Sequence, residues 1–368
     1  MSRSCLYLAP SLLGPPGGIA RYGRMVCRGL CQAGAGLRVL ALADTAAGSA
    51  AASLFPGMAY QPCRGSRPEF GGRALLSTAQ QRLALILVGH ANFAPLGWLL
   101  SRLAGVPFVT FIYGIDVWEP LPPARRWALG RSAQIISISR FTARQAVQAN
   151  GISMAKVRIL HNCLDPGFEG PTSPRRANSA LSLLTVARMS LAEQYKGHDY
   201  VIRAMPALLA RFPHLVYHIV GDGDGRPALE ALAAQVGVAH AVRFHGSVSE
   251  EALRRHYAEA SLFIMPSRGE GFGFVFLEAM AHGVPAIGGN VDATPEVIAD
   301  GETGYLVDPT SVEAIVAATS RLLAHEELRQ RMGQAAMRHA RQNFSFLQFQ
   351  QRLLTYLSEP QATRPLKV

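Results

Sequence analysis

Short, continuous apolar runs recur along the chain, and stretches with helical spacing of apolar positions separate them. In the first half the runs are CLYLAP (5–10), LRVLAL (37–42), LALILVG (83–89), PFVTFIYG (107–114), QIISIS (134–139) and VRIL (157–160). In the second half they are LSLLTVAR (181–188), LVYHIVGDG (215–223), VRFHG (242–246), LFIMPS (262–267), PAIGG (285–289) and GYLV (304–307). Runs without polar alternation predict strands buried on both faces of a parallel sheet. Helical patterns near 140–150, 226–236, 249–260 and 311–341 lie between them. Strand–helix alternation in both halves predicts an α/β chain of two doubly wound, Rossmann-like domains.

A length of 368 residues agrees with two domains. The Pro/Gly/Ser-rich stretch 165–180 reads as the interdomain linker and divides the chain into 1–170 and 171–343. Residues 344–359 are apolar at helical spacing. They predict a C-terminal helix that caps the second domain or crosses back to the first, and 360–368 read as a frayed tail.

Composition narrows the classes. Half the residues are apolar and the mean hydropathy is +0.14, enough for a sizeable core. No stretch reaches the roughly 18 uninterrupted apolar residues of a membrane span. The opening run reads as a first strand stopped by a Pro/Gly turn rather than a signal peptide, which predicts a cytoplasmic chain. Cys5, Cys27, Cys31, Cys63 and Cys163 are odd in number and scattered, against a disulfide framework and against a zinc site. The net charge of +11 is uneven. Residues 1–170 hold 17 Lys/Arg against 6 Asp/Glu, whereas 171–368 hold 19 of each. Such asymmetry suggests an anionic partner for the first half (phosphate, nucleic acid or a membrane surface) or a solvated basic face.

Candidate chemistry concentrates in the second half. In RGEGFGFVFLEAM, Arg268 to Met280, two carboxylates flank glycines and bulky apolar residues. Glu270-Gly-Phe-Gly lacks helix propensity, while VFLEAMAHG reads as a helix closed by Gly283. Glu270 is therefore expected in a loop after a strand, and Glu278 about one turn into a helix. Helix-start N–H groups beside that loop make an anion site. The pattern suits a ligand with a phosphate in the middle and hydroxyls at each end; the alternative is that Glu270 merely caps the helix. Arg188 and Lys196 follow a strand whose carboxyl end is where ligands of such sheets bind, and the two cations suit a diphosphate. They also fit isolated surface cations. Gly221-Asp222-Gly223-Asp224-Gly225 lacks the third glycine of a dinucleotide fingerprint.

These segments in order resemble the retaining GT-B-fold glycosyltransferases of family 4. The match runs through Arg188, Lys196-Gly197-His198-Asp199, Gly221-Asp222-Gly223, Glu270 and Glu278, Ala281-His282-Gly283-Val284-Pro285, Pro295-Glu296-Val297-Ile298, Asp300-Gly301 and Gly304-Tyr305-Leu306-Val307. In the first half, Gly17-Gly18-Ile19-Ala20-Arg21-Tyr22 is similar to the family's glycine-rich loop, and Tyr113-Gly114-Ile115-Asp116-Val117-Trp118 and Ser137-Ile138-Ser139-Arg140-Phe141-Thr142 add to the likeness. The resemblance covers about residues 5–345 and is most specific over 181–307.

The resemblance implies two domains facing across a cleft, with nucleotide sugar on the second and acceptor on the first. Arg188 and Lys196 would bind the donor diphosphate. Glu270 would face the donor sugar and Glu278 the ribose. Main-chain amides of Gly271, Phe272, Gly273 and Phe274 would hold sugar and phosphate oxygens. The stretch Phe244-His245-Gly246-Ser247-Val248 would lie by the base, with Gly17, Gly18 and Gly221 as further donor contacts. No metal or separate cofactor is implied; the donor is a co-substrate. Two positions depart from the pattern. Tyr113 stands where the family often has His, a hydrogen-bond donor but no acid/base at pH 7, with His90 a substitute or a structural histidine. Asn162-Cys163 replaces the usual Asn-Gly.

The expected activity is retaining transfer of a hexose, mannose from GDP-mannose by preference, to a lipid-linked oligosaccharide or glycan in bacterial polysaccharide synthesis. The basic first half suggests a peripheral seat on an anionic membrane, at the inner face of the plasma membrane, with no nucleic acid as partner. Alternatives are a UDP-sugar-dependent glucosyl or N-acetylhexosaminyl transferase, a GT-B epimerase or phosphorylase, and a sugar-nucleotide-binding protein without turnover.

Overall fold

The computed structural model describes residues 4–14, 17–45, 55–80, 82–166 and 181–359. All but the first two residues of the linker read at 165–180, and the tail 360–368, lie outside them. The chain forms two compact units. One holds residues up to Asn162 together with those from Phe346 onward; the other is Cys163–Ser345.

The first unit is built on a parallel sheet of β1 (Ser4–Ala9), β2 (Gly36–Ala41), β3 (Ala59–Pro62), β4 (Leu83–Val88), β5 (Phe108–Ile112), β6 (Gln134–Ser137) and β7 (Val157–Ile159) in the order β3-β2-β1-β4-β5-β6-β7. Its helices are α1 (Gly18–Gln32), α2 (Arg67–Gln80), α3 (Ala94–Ala104), α4 (Ile115–Trp118), α5 (Pro123–Leu129) and α6 (Arg140–Asn150). Leu6, Leu8, Ile86, Val88 and Phe108 share one buried cluster. Tyr7 on the opposite face of β1 is also buried, as expected of strands covered on both sides. The edge strand β3 has no counterpart among the predicted strands. Its sequence AYQP is half-exposed and polar, as an edge tolerates, so it shows no apolar run.

The second unit repeats the plan with β8 (Ser182–Val186), β9 (Val216–Val220), β10 (Val242–Gly246), β11 (Leu262–Met265), β12 (Ala286–Gly289) and β13 (Gly304–Val307), in the order β10-β9-β8-β11-β12-β13. Its helices are α7 (His198–Arg211), α8 (Arg226–Gln235), α9 (Glu250–Glu259), α10 (Phe274–Ala281), α11 (Val312–Ala324) and α12 (Glu326–Asn343). The helix expected over 311–341 is two helices. The break falls at His325, whose backbone is extended at φ −121° and ψ 90°. The C-terminal helix α13 (Phe346–Ser358) belongs to the first unit, where Gln350 donates to the carbonyl of Gly29 at 3.0 Å and Tyr356 to that of Ile159 at 3.2 Å.

Strand order reverses between β1 and β4 in the first sheet and between β8 and β11 in the second. At such switch points the loops leaving the carboxyl ends of the strands diverge and open a crevice for ligands. The loops that matter are therefore those after β1 and β4 in one unit and after β8 and β11 in the other.

Candidate active site

In the second unit the loop after β8 carries Arg188 and a 3-10 turn, Leu191–Lys196. The loop after β11 carries Glu270. The main chain joins the two loops, since Arg268 N–H donates to the carbonyl of Tyr195 at 2.8 Å. That contact brings Lys196 Nζ onto the Glu270 carboxylate as an ion pair, both side chains 15% exposed. Burial works against the Lys196 charge, but Glu270 outweighs it and holds the pKa above the ordinary lysine value. Arg188 is different. Its side chain is 68% exposed and pairs with Glu193, an exposed contact worth little. A phosphate can recruit that guanidinium at small cost. His198, buried at the start of α7, lies 3.4 Å from the carbonyl of Arg188. Burial pulls its pKa to about 4, so the ring is neutral at pH 7.

Asp292 holds the Glu270 loop from beneath. One oxygen accepts from Glu270 N–H at 2.7 Å and the other from Thr294 N–H at 2.9 Å, while Ala293 N–H donates to the Glu270 carbonyl at 3.1 Å. The Asp292–Thr294 bond is an Asx turn. Gly273 then starts α10 at φ 91°, and a Cβ there would stand 2.5 Å from the Phe276 ring. The N-cap residue Gly273 has no side chain, and the dipole of the helix it opens suits an anion. Gly271 and Phe272 line the approach to it, with the Phe272 ring buried against Phe344 at 5.6 Å between centroids. Phe274 is half-buried in the first turn.

Glu278 is buried on α10 and accepts a 2.7 Å hydrogen bond from the Tyr257 hydroxyl of α9. Tyr257 stacks on His282, centroids 5.5 Å apart. Glu270 and Glu278 are thus held by different partners. Val248 is half-buried in the turn after β10. Gly221 passes so close to β8's exit that a Cβ would lie 2.1 Å from the Ala187 carbonyl oxygen, at φ 134°. Its glycine is explained by backbone packing alone.

In the first unit Gly17 and Gly18 open α1, Gly17 as its extended, uncapped N-terminal residue. The loop before them is pinned by Asp44, which is buried and accepts from Leu12 and Leu13 N–H at 2.8 Å each, Gly14 N–H at 3.1 Å, Tyr60 OH at 2.6 Å and the Ser11 hydroxyl. Burial alone would raise the Asp44 pKa, but these donors hold it below the usual 3.8. Its contribution to stability is complete above that unfolded value and is lost as pH falls through the lower folded value. We expect the urea midpoint of the wild type to drop over that acid range, and Asp44→Asn to flatten the drop while lowering the midpoint at pH 7.

Tyr113 is 6% exposed. Its ring packs edge-on to Tyr22 at 5.5 Å, and burial, with Tyr7 and Tyr22 adding to it, pushes its hydroxyl pKa well above the phenol value. The side chain expected among the catalytic groups is thus part of the core. The group at the β4 exit is His90, where Nδ1 accepts from Asn92 N–H at 3.1 Å and Nε2 lies 3.9 Å from Asp116 Oδ2. Burial lowers the His90 pKa to about 4 and raises that of Asp116 to about 6. Sequence reasoning missed Asp292, Tyr257 and Asp44 as site supports. Asp292-Ala-Thr carried an Asx-turn signal, and Tyr257 is the one buried residue on its helix; Asp44 had none.

Two doubly wound parallel sheets, with cations and carboxylates at the second switch point, define a glycosyltransferase of the GT-B fold. Residues 16–168 match the family model Glycosyltransferase Family 4, and 176–339 match Glycosyl transferases group 1. The chain is 34% identical over 288 residues to a GDP-mannose-dependent alpha-(1-6)-phosphatidylinositol monomannoside mannosyltransferase of Mycolicibacterium smegmatis, covering 73% of this chain and 74% of that one. A D-inositol 3-phosphate glycosyltransferase of Streptomyces griseus is 29% identical over 332 residues, 78% of this chain and 70% of that one. Among solved structures, Anabaena Alr3699/HepE in complex with UDP superposes with a TM-score of 0.81 at 18% identity, over 97% of this chain and 100% of that one. The chain belongs to the group 1, family 4 glycosyltransferases.

Proposed function

We propose that this glycosyltransferase moves mannose from GDP-mannose to a lipid-linked or glycan acceptor, with retention and without a metal ion. The observation that carries the reading is the Lys196–Glu270 pair at the switch point, beside the glycine-opened start of α10. Lys196 and Arg188 would stabilise charge building on the leaving diphosphate. Glu270 would face the sugar, and main-chain amides of 271–274 the sugar and phosphate oxygens. Glu278, oriented by Tyr257, would accept from the ribose hydroxyls, and Val248 would border the base. In a retaining transfer the leaving phosphate can take the acceptor's proton, so no imidazole is required at Tyr113. The mycobacterial relative's name specifies GDP-mannose and a phosphatidylinositol-linked acceptor, which supports the choice of donor and acceptor class.

A peripheral seat on an anionic membrane has support in the first unit. The adjacent helices α2, α3 and α5 expose Leu76, Leu103 and Trp127, and the same helices expose Arg73, Arg102 and Arg126. Apolar anchors among arginines suit acidic headgroups. Among the described residues, no helix is long and apolar enough to cross a membrane.

The test is a thermal-shift screen of GDP, UDP and ADP sugars, then radiolabelled transfer to bacterial lipid in anionic vesicles. GDP-mannose should stabilise most and transfer label to lipid with retention. Leu76→Glu with Leu103→Glu should reduce transfer while leaving donor binding intact. Preference for UDP sugars would replace the donor, inversion would end the retaining assignment, and binding without transfer to lipid or glycan would leave a nucleotide-sugar-binding protein.

A further inference from the structure

Three histidines outside the proposed diphosphate, sugar and ribose contacts converge on one side of the second sheet. His218 lies on β9, His245 near the end of β10 and His256 on α9. The register pairs His218 with Arg243 and shifts between Phe244 and Gly246, at His245, whose ring stacks on that of His218 with centroids 5.2 Å apart. The opposite face carries Tyr217, Ile219 and Val242 into the core. The three rings offer ligand nitrogens that all lie within 4.8 Å of one another. Nδ1 of His218 is 2.9 Å from Nε2 of His245, and the His245 and His256 ring centroids are 4.4 Å apart.

We propose that His218, His245 and His256 form a binding site for a divalent transition-metal ion of the zinc class. Imidazole nitrogen suits zinc, nickel, cobalt and copper, whereas magnesium and calcium take oxygen ligands. Metal–nitrogen bonds of about 2.0–2.1 Å at tetrahedral angles place ligand nitrogens about 3.3 Å apart. The His218–His245 separation is already close to that, so side-chain rotation can complete the triangle. The exposed side at His245 leaves a fourth position to water.

The electrostatics favour the metal-binding form. Burial, followed by the neighbouring imidazoles and Arg243, lowers the His218 pKa to about 4, and burial lowers those of His245 and His256. The downward direction favours the neutral rings that ligation requires. Arg243 and Arg255 add positive charge, while Glu259 acts on His256 in the opposite sense. The guanidiniums moderate the affinity without removing the ligands. His245 and His256 also bracket the turn Ser247–Val248–Ser249, so a bound ion would tie β10 to α9 across it.

The site is tested on the untagged, chelator-treated full-length chain by calorimetric titration with zinc chloride. Cobalt chloride, followed by its visible absorption, is the second probe. One equivalent of zinc should bind, cobalt should give a tetrahedral spectrum, and the melting temperature should rise with zinc concentration. His245→Ala with His256→Gln should keep the far-UV spectrum. It should weaken zinc binding by more than the roughly 10–100-fold typical of losing an outer-shell partner. Absence of stoichiometric zinc binding, or binding unchanged in the double variant, would overturn the site.

Discussion

Lys196→Ala is expected to lower kcat by about 10²–10³-fold, the range for removing one preorganised charge donor from a transition state, with a much smaller change in donor KM. The ammonium stands between burial, which opposes its charge, and Glu270, which more than restores it. It therefore remains a fixed cation where the diphosphate is expected. The substitution also strands Glu270, and breaking a largely buried pair can cost about 3 kcal/mol or more. Stability and turnover must be separated. Lys196→Ala combined with Glu270→Gln should recover the melting temperature lost in the single variant and should not recover kcat. Arg188→Ala should leave stability nearly unchanged, because its exposed pair with Glu193 contributes little, yet raise the donor KM. Turnover of Lys196→Ala within a few-fold of wild type would remove the lysine from the reaction.

Much of this site was legible as position and little of it as partnership. Continuous apolar runs located strands on both sides of each switch point, because burial on two faces leaves no room for polar residues. The glycines of RGEGFGFVFLEAM correctly put Glu270 in a loop and Glu278 in a helix. What holds those acids was not readable. Lys196 and Glu270 are 74 residues apart, and they meet because two strands that are not consecutive in the chain lie side by side. Asp292 and Tyr257 act through side-chain hydrogen bonds, which leave no periodicity. Tyr113 shows the converse, since its place in a familiar segment suggested chemistry while the aromatic residues around it draw the ring into the core. The histidines at 218, 245 and 256 fit no ligand spacing along the sequence; the pairing of β9 with β10 and the packing of α9 beside them bring the three together. β3 escaped notice because a polar edge strand needs no hydrophobic run.

Glu278→Gln is expected to weaken GDP and GDP-mannose binding by about 10–100-fold, because a hydrogen bond to a charged group contributes about 1.5–3 kcal/mol. Glutamine is the informative substitution. Glu278 is 3% exposed and accepts from the buried Tyr257 hydroxyl at 2.7 Å. Alanine would strand that hydroxyl and cost about 1–3 kcal/mol of stability whatever the carboxylate does for the donor. The glutamine carbonyl can still accept from Tyr257, so the fold is retained while the charge is lost. Tyr257→Phe makes the reverse change, removing one hydrogen bond from the carboxylate, and should raise the donor Kd by only a few-fold. The deciding measurement pairs the protein change with a ligand change. Calorimetry on wild type should show GDP bound more tightly than 2′,3′-dideoxy-GDP, because only GDP offers ribose hydroxyls to the carboxylate. In Glu278→Gln that preference should collapse, with dideoxy-GDP bound much as wild type binds it. Equal losses for both nucleotides would mean that Glu278 supports the site through α10 and Tyr257 without touching the ribose.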